Sequence, residues 1–159
     1  MVRPLAERLV EQARARGLRI AVAESCTGGM IAAALTDAPG ASRVFDRGFV
    51  TYSNEAKQAL LAVRSETLAD HGEVSEPVAR EMAEGALAAS AADLALSVTG
   101  IAGPGGSEHK PEGRVCFAVA RRGGGVSSET VDFGALGRDG VRRASLAHAL
   151  RRLAAAAAP

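Results

Sequence analysis

Three short stretches of this 159-residue chain carry residue types that do chemistry: ESCTGG at 24–29, YSNEAK at 52–57 and TGIAGPGGSEHK at 99–110. The first sets Ser25, Cys26 and Thr27 where an apolar run turns into a helix-forming run. Unpaired backbone N–H groups at a helix N-terminus favour an anion or a developing oxyanion. Gly28 and Gly29 let a ligand approach the backbone closely. The second stretch holds the only tyrosine, Tyr52, and one of two lysines, Lys57, against seventeen arginines. Arginine does not lose its proton in a protein, whereas a desolvated lysine does. A site that needs a neutral amine as general base therefore uses lysine, and serine with a lysine base is an alternative to the Ser-His-Asp triad. Tyr52 would relay a proton or donate a hydrogen bond. Each residue also has a plainer reading: Ser25 or Thr27 as a helix cap, Lys57 as a surface charge, Tyr52 as a packed ring. Cys26 is a rival nucleophile at a helix N-terminus, or a small buried hydrophobe.

The third stretch is rich in glycine but fits neither common phosphate motif. A P-loop needs a lysine after its second glycine, and a dinucleotide fingerprint needs GxGxxG or GxGxxA. Its amides remain candidates to cradle a phosphate or a carbonyl oxygen. SEHK at 107–110 matches S-x-x-K formally, but that motif needs a helix and here lies between Gly106 and Pro111. His71, His109 and His148 have no metal-like spacing and read as surface or loop residues. No metal site is implied.

The elements that must position these residues alternate. Helical spacing covers 4–16, and LRIAVA (18–23) is a strand followed by a tight turn and a helix over 30–36. A second strand spans 44–52, with Ser53 or Asn54 capping a helix that continues to 63. A helical turn falls within 65–74, and Ser75 caps a helix over 76–91 with Pro77 in its first turn. LALSV (94–98) is a strand. Strands at 113–122 and 126–133 are joined by Gly123–Gly125 as a hairpin. Asp139 caps the last helix, whose alanine tail frays. This pattern is a three-layer α/β domain with a mixed sheet. Such sheets bind ligands beyond the carboxyl ends of their strands, and all three chemical stretches follow predicted strands.

Bulk properties narrow the function classes. Aromatics are 3%, so the core is built from Ala, Val, Leu and Ile. The net charge of +1 argues against a nucleic-acid surface. Cys26 and Cys116 form no CxxC or zinc-ligand spacing. The N-terminus lacks the apolar core of a signal peptide, and no run is long enough to span a membrane. These features predict a single cytoplasmic domain over 1–159 with no membrane partner.

AESCTGG (23–29), GFVTYSNEAK (48–57), GEVSEPVAREMAEGAL (72–87), SVTGIAGPGGSEHKPEGRV (97–115) and FGALGRDGVR (133–142) together resemble the CinA carboxy-terminal domain family, in the family's order and over nearly the whole chain. The resemblance implies a three-layer α/β/α sandwich with a mixed, mostly parallel five-stranded sheet, without the molybdopterin-binding-like domain that precedes it in many members. It implies hydrolysis of nicotinamide mononucleotide to nicotinate mononucleotide and ammonia, with no cofactor or metal, in a homo-oligomer. The family's Ser, Tyr and Lys fall on Ser25, Tyr52 and Lys57. The expected substrate-binding set is Glu24, Thr27, Gly28, Gly29, Asn54, Thr99, Gly100, Gly103, Arg138 and Arg142. The 5′-phosphate has three candidate holders: Thr27–Gly29, the Gly103–Ser107 loop, and Arg138 or Arg142, from the same or a neighbouring subunit. Two other readings stand beside this one: an amidase for a related pyridine amide, and a non-catalytic nucleotide-binding or regulatory module linked to competence or DNA-damage operons.

Overall fold

Five strands form one sheet in the order β2-β1-β3-β4-β5 in a computed structural model that describes residues 2–159. The chain runs α1 (Val2–Ala15), β1 (Ile20–Glu24), α2 (Met30–Thr36), a 3-10 turn (Ala41–Arg43), β2 (Phe45–Val50), α3 (Asn54–Leu61), α4 (Ser65–His71), α5 (Glu76–Ala88), β3 (Leu94–Gly100), β4 (Arg114–Arg121), β5 (Val126–Asp132) and α6 (Gly137–Ala157). β1 pairs in parallel with β2 and β3, while β3–β4 and β4–β5 are antiparallel. Parallel and antiparallel ladders are thus equal in number, so the sheet is mixed as expected but parallel only in the half that carries β1, β2 and β3.

Alternation along each strand divides the core into two layers. Ile20, Val22, Leu94, Leu96, Val98, Val115, Phe117 and Val119 face α1, α2 and α6. The opposite face carries mostly small side chains, among them Ala21, Ala23, Ala95, Cys116, Ala118 and Ala120. That face lets α5 lie close to the sheet through Val78, Ala79, Met82, Ala83 and Ala86. α5 also presses against the end of α3: a Cβ on Gly85 would stand 1.9 Å from the Leu61 carbonyl oxygen. The position of α3 therefore depends on a glycine in its neighbour.

Three expectations change. α6 begins at Gly137, so Asp139 lies in its first turn and pairs with Arg143 at 2.7 Å instead of capping the helix. The alanine tail does not fray, because Ala157 is fully buried and Arg16 donates to the carbonyls of Ala157 and Ala158. His148 is not a loose surface group. Its ring lies 4.6 Å from that of Phe117 and bonds to Glu129.

Candidate active site

The carboxyl ends of β1, β2 and β3 build the site, since parallel neighbours deliver their following loops to one edge of the sheet. The Ser25 N–H donates to Val98 on β3 at 3.0 Å, and the Thr51 N–H donates to Glu24 at 2.8 Å. Both turns are thereby fixed in register with the strands they leave. Ser25 is buried and lies at the head of a turn that continues through Gly29.

Ser53 caps α3 by accepting from the Ala56 N–H at 3.0 Å. That start sets the helix phase, and Lys57 and Leu61, one turn apart, both face inward. Lys57 is 1% exposed, a charge-bearing side chain in a place normally reserved for apolar ones. Its Nζ lies 3.1 Å from Ser25 Oγ and 3.3 Å from the Tyr52 carbonyl oxygen. Burial pushes the amine below the ordinary lysine value of 10.5, with Glu73, Cys26 and Glu55 pulling the other way. A lysine held toward its neutral form within reach of a hydroxyl proton has the geometry and basicity of a general base.

Glu24 is fully buried, and its carboxylate accepts from Gly29 and Ile31 at Oε1 (3.2 and 3.0 Å) and from Ala32 at Oε2 (3.0 Å). The Gly28 and Met30 amides bond to Ser25 and Thr27 carbonyls. Every amide from Gly28 to Ala33 is therefore engaged, and the N-terminus of α2 offers no place for a phosphate. Glu24 is an anchor of the turn, and within Thr27–Gly29 the Gly28 and Gly29 amides are already taken. The Cys26 and Thr27 amides make no hydrogen bond to another described residue, which leaves them available directly after Ser25. Burial pushes the Cys26 thiol up to about 11, the opposite of the shift that activates a nucleophilic cysteine. Thr27 Oγ1 and Asn54 Oδ1 are buried without partners.

The far wall comes from the start of α6. Arg138 donates to the Gly103 carbonyl at 2.6 Å and to the Tyr52 hydroxyl at 2.7 Å. The Tyr52 hydroxyl therefore meets Arg138, while Lys57 meets the Tyr52 carbonyl. Arg142 donates to the carbonyls of Cys26 (3.1 Å) and Thr27 (3.4 Å), bracing the Ser25 turn from behind. Gly100 is glycine because a Cβ would stand 2.7 Å from the Val115 side chain. Thr99 Oγ1 bonds the Glu73 carbonyl at 2.9 Å.

These groups enclose a cleft of about 120 Å³ lined by Ser25, Tyr52, Glu73, Thr99, Gly100 and Arg138, among others. A larger hollow of about 570 Å³, which Asn54 and Lys110 help to line, adjoins it through Glu73 and Val74. The structure thus brings Ser25, Tyr52, Thr99, Gly100 and Arg138 to one cleft, places Asn54 in the adjoining hollow, and puts Glu24, Thr27, Gly28, Gly29 and Arg142 in its supporting wall. Gly103 bonds Arg138 from behind the cleft. Lys110 Nζ bonds the His71 and Val74 carbonyls and does not meet Ser107 Oγ, so SEHK is no catalytic pair. No group of three His, Cys, Asp or Glu side chains converges as metal ligands among the described residues.

Residues 2–157 match the CinA C-terminal domain family. The chain belongs to that family. It is 54% identical over 151 residues to the nicotinamide-nucleotide amidohydrolase PncC of Escherichia coli K12, covering 94% of this chain and 90% of that one. A CinA-like protein of Chloroherpeton thalassium is 60% identical over 118 residues, which are 74% of this chain and 28% of that longer protein. The competence/damage inducible protein CihA of Agrobacterium tumefaciens superposes with a TM-score of 0.94 at 48% identity, over 97% of this chain and 94% of that one. A CinA superfamily protein from Klebsiella pneumoniae gives 0.94 at 38% identity, over 99% and 98%.

Two residues of this CinA domain that shape the site are absent from the sequence-based set. Glu73 lines both the cleft and the hollow. It lies in GEVSEP, which belongs to a family-like stretch and caps α5 but carries no signal of a cleft residue. Glu112 accepts from Gly105 at 2.6 Å and Gly137 at 2.9 Å, tying the glycine-rich loop to the first turn of α6. Its place before Gly113 in KPEG is the only signal, and that signal does not say what the carboxylate binds.

Proposed function

We propose that this CinA domain hydrolyses the carboxamide of nicotinamide mononucleotide to nicotinate mononucleotide and ammonia, by a Ser/Lys mechanism that needs no metal. The observation that carries the mechanism is the 3.1 Å approach of a buried lysine to a serine at a strand end. The kinship with the E. coli amidohydrolase supports the substrate.

Neutral Lys57 accepts the Ser25 hydroxyl proton as Oγ attacks the carboxamide carbon. The carbonyl oxygen becomes an oxyanion within reach of the Cys26 and Thr27 amides, an arrangement that stabilises charge only as it develops. The C–N bond breaks, the ammonium form of Lys57 returns its proton to nitrogen, and ammonia leaves an ester on Ser25. Water then loses a proton to Lys57 and attacks the ester. Ser25 Oγ departs, takes that proton back, and nicotinate mononucleotide is released. The positive pyridinium ring makes the amide carbon more electrophilic. Arg138 is the arginine that lines the cleft and the holder we assign to the 5′-phosphate, because Arg142 stays outside that lining and braces the Ser25 turn.

The reading places the protein in pyridine nucleotide recycling in the cytoplasm. Val50, Tyr52, Leu60 and Leu136 are large side chains left at least half exposed, which supports a homo-oligomer. No helix among the described residues is long and apolar enough to cross a membrane.

The test is ammonia release from nicotinamide mononucleotide by the wild-type protein, Ser25→Ala and Lys57→Arg, each with and without a chelator. Activity confined to the wild type and insensitive to chelation is the expected result. Activity that persists in Ser25→Ala overturns the serine nucleophile. Nucleotide binding without turnover in the wild type leaves a binding module instead.

A further inference from the structure

We propose that Glu73 reads the charge of the substrate ring, so that this cleft selects a cationic pyridinium carboxamide over a neutral one. The proposal rests on the amidohydrolase reading above and adds a specificity-determining residue to it.

The lining of the cleft includes one carboxylic acid and one guanidinium, Glu73 and Arg138. The guanidinium of Arg138 already has partners in Gly103 and Tyr52. The carboxylate of Glu73 has no hydrogen-bond or ion-pair partner among the described residues, although its backbone is fixed by Thr99 on one side and its neighbour Val74 by Lys110 on the other. A held backbone with an open acid is a receptor for a cation. The ligand that must enter supplies one: the pyridinium charge is spread over the ring that bears the carboxamide. Once that carboxamide carbon reaches Ser25 Oγ, the ring lies inside the same cleft as Glu73. With its phosphate toward Arg138, the substrate meets an acid and a base in the order of its own two charges.

The placement also couples binding to chemistry. Lys57 faces Glu73 from the loop before α5, Glu55 from its own helix and Cys26 from the Ser25 turn, and Glu73 acts on it most strongly among these three. In the empty cleft Glu73 favours the ammonium form. A pyridinium beside Glu73 cancels that pull and adds its own repulsion, so the base is freed of its proton when the substrate is seated.

The experiment compares wild type, Glu73→Gln and Glu73→Asp, with nicotinamide mononucleotide as substrate and its 1,4-dihydro form as competitive ligand. The two share carboxamide, ribose and phosphate, and differ in ring charge. Glu73→Gln is expected to raise KM for the cationic substrate by about tenfold, the size of one partly screened charge pair. The inhibition constant of the neutral ligand should stay constant, and Glu73→Asp should recover part of the loss. The acid limb of kcat/KM should move to lower pH in Glu73→Gln. Equal changes for both ligands, or an unmoved acid limb, overturn the proposal. If the wild type releases no ammonia, the amidohydrolase reading fails by itself. Calorimetric titration of both ligands then decides the matter: preference for the cation that Glu73→Gln abolishes supports Glu73, and equal affinity in wild type overturns it.

Discussion

Lys57 Nζ and Ser25 Oγ stand 3.1 Å apart although they lie 32 residues apart in the chain and leave the sheet from different strands. Only the parallel pairing of β1 with β2 brings them together. Because the amine must be neutral to accept a proton, kcat/KM is expected to rise with pH through the depressed lysine value, which lies below 10.5. Lys57→Arg cannot titrate there and should lose activity by roughly 10²–10⁴-fold, with no rising limb. A pH–rate profile of both proteins checks this.

Cys26 sits beside Ser25, the proposed nucleophile, yet is expected to be dispensable as a thiol. Its value near 11 leaves it protonated at neutral pH. Cys26→Ala should keep its turnover within a few-fold, since the backbone amide proposed to meet the oxyanion is retained. Native protein should resist alkylation by iodoacetamide under the same conditions. Ammonia release and mass spectrometry of the treated protein are the two readouts.

Removing Glu24 should damage the fold before it damages the chemistry. Its carboxylate serves three amides at the start of α2. Glu24→Ala leaves buried donors without partners and is expected to cost about 3 kcal/mol or more, read as a lowered urea midpoint. Glu24→Gln, which keeps one carbonyl acceptor, should fall between it and the wild type.

The buried lysine should also mark the pH dependence of stability. A lysine whose folded value is depressed binds fewer protons folded than unfolded in that range, so stability rises with pH from the depressed value up to 10.5. Cys26 acts in the opposite sense: unfolded thiol ionises near 9.0 and folded thiol near 11, so stability falls with rising pH between them. In a Cys26→Ala background, Lys57→Met is expected to flatten the rise between the depressed lysine value and 10.5. Urea midpoints across that window test it.

Gly85→Ala transmits a helix-packing change to the site. The added Cβ meets backbone at Leu61, not a movable side chain, and overpacking of this kind costs about 1–3 kcal/mol. Because Leu61 ends the helix that carries Lys57, kcat should fall along with the thermal midpoint.

The strand-turn-helix order and the two loops that carry Ser25 and Lys57 are legible in the sequence because they follow from local signals: apolar runs of strand length, Ser53 and Ser75 as caps, and glycines after Cys26. The scarcity of lysine points to Lys57 for a chemical reason. What stays hidden depends on contacts between distant residues. Glu24 reads as one more polar residue before the turn until three amides are seen to converge on it. Glu112 binds Gly137, 25 residues away. Tyr52 reads as a proton relay or hydrogen-bond donor through its hydroxyl, and the sequence does not show that Arg138 donates to that hydroxyl while Lys57 meets the carbonyl. Glu73 falls within one of the family-like stretches, but nothing local says that it lines the cleft.

The buried carboxylate of Glu24 gives the family's lineages an uneven freedom to drift. It anchors the turn that carries Ser25 as well as the start of α2, so a descendant that no longer needs the reaction still loses stability by discarding it. Ser25 and Lys57 are under no such obligation. A copy recruited to another task would shed the reactive pair and keep the acid before it, making an intact Glu24 a record of ancestry and an intact Ser25–Lys57 pair a record of present use.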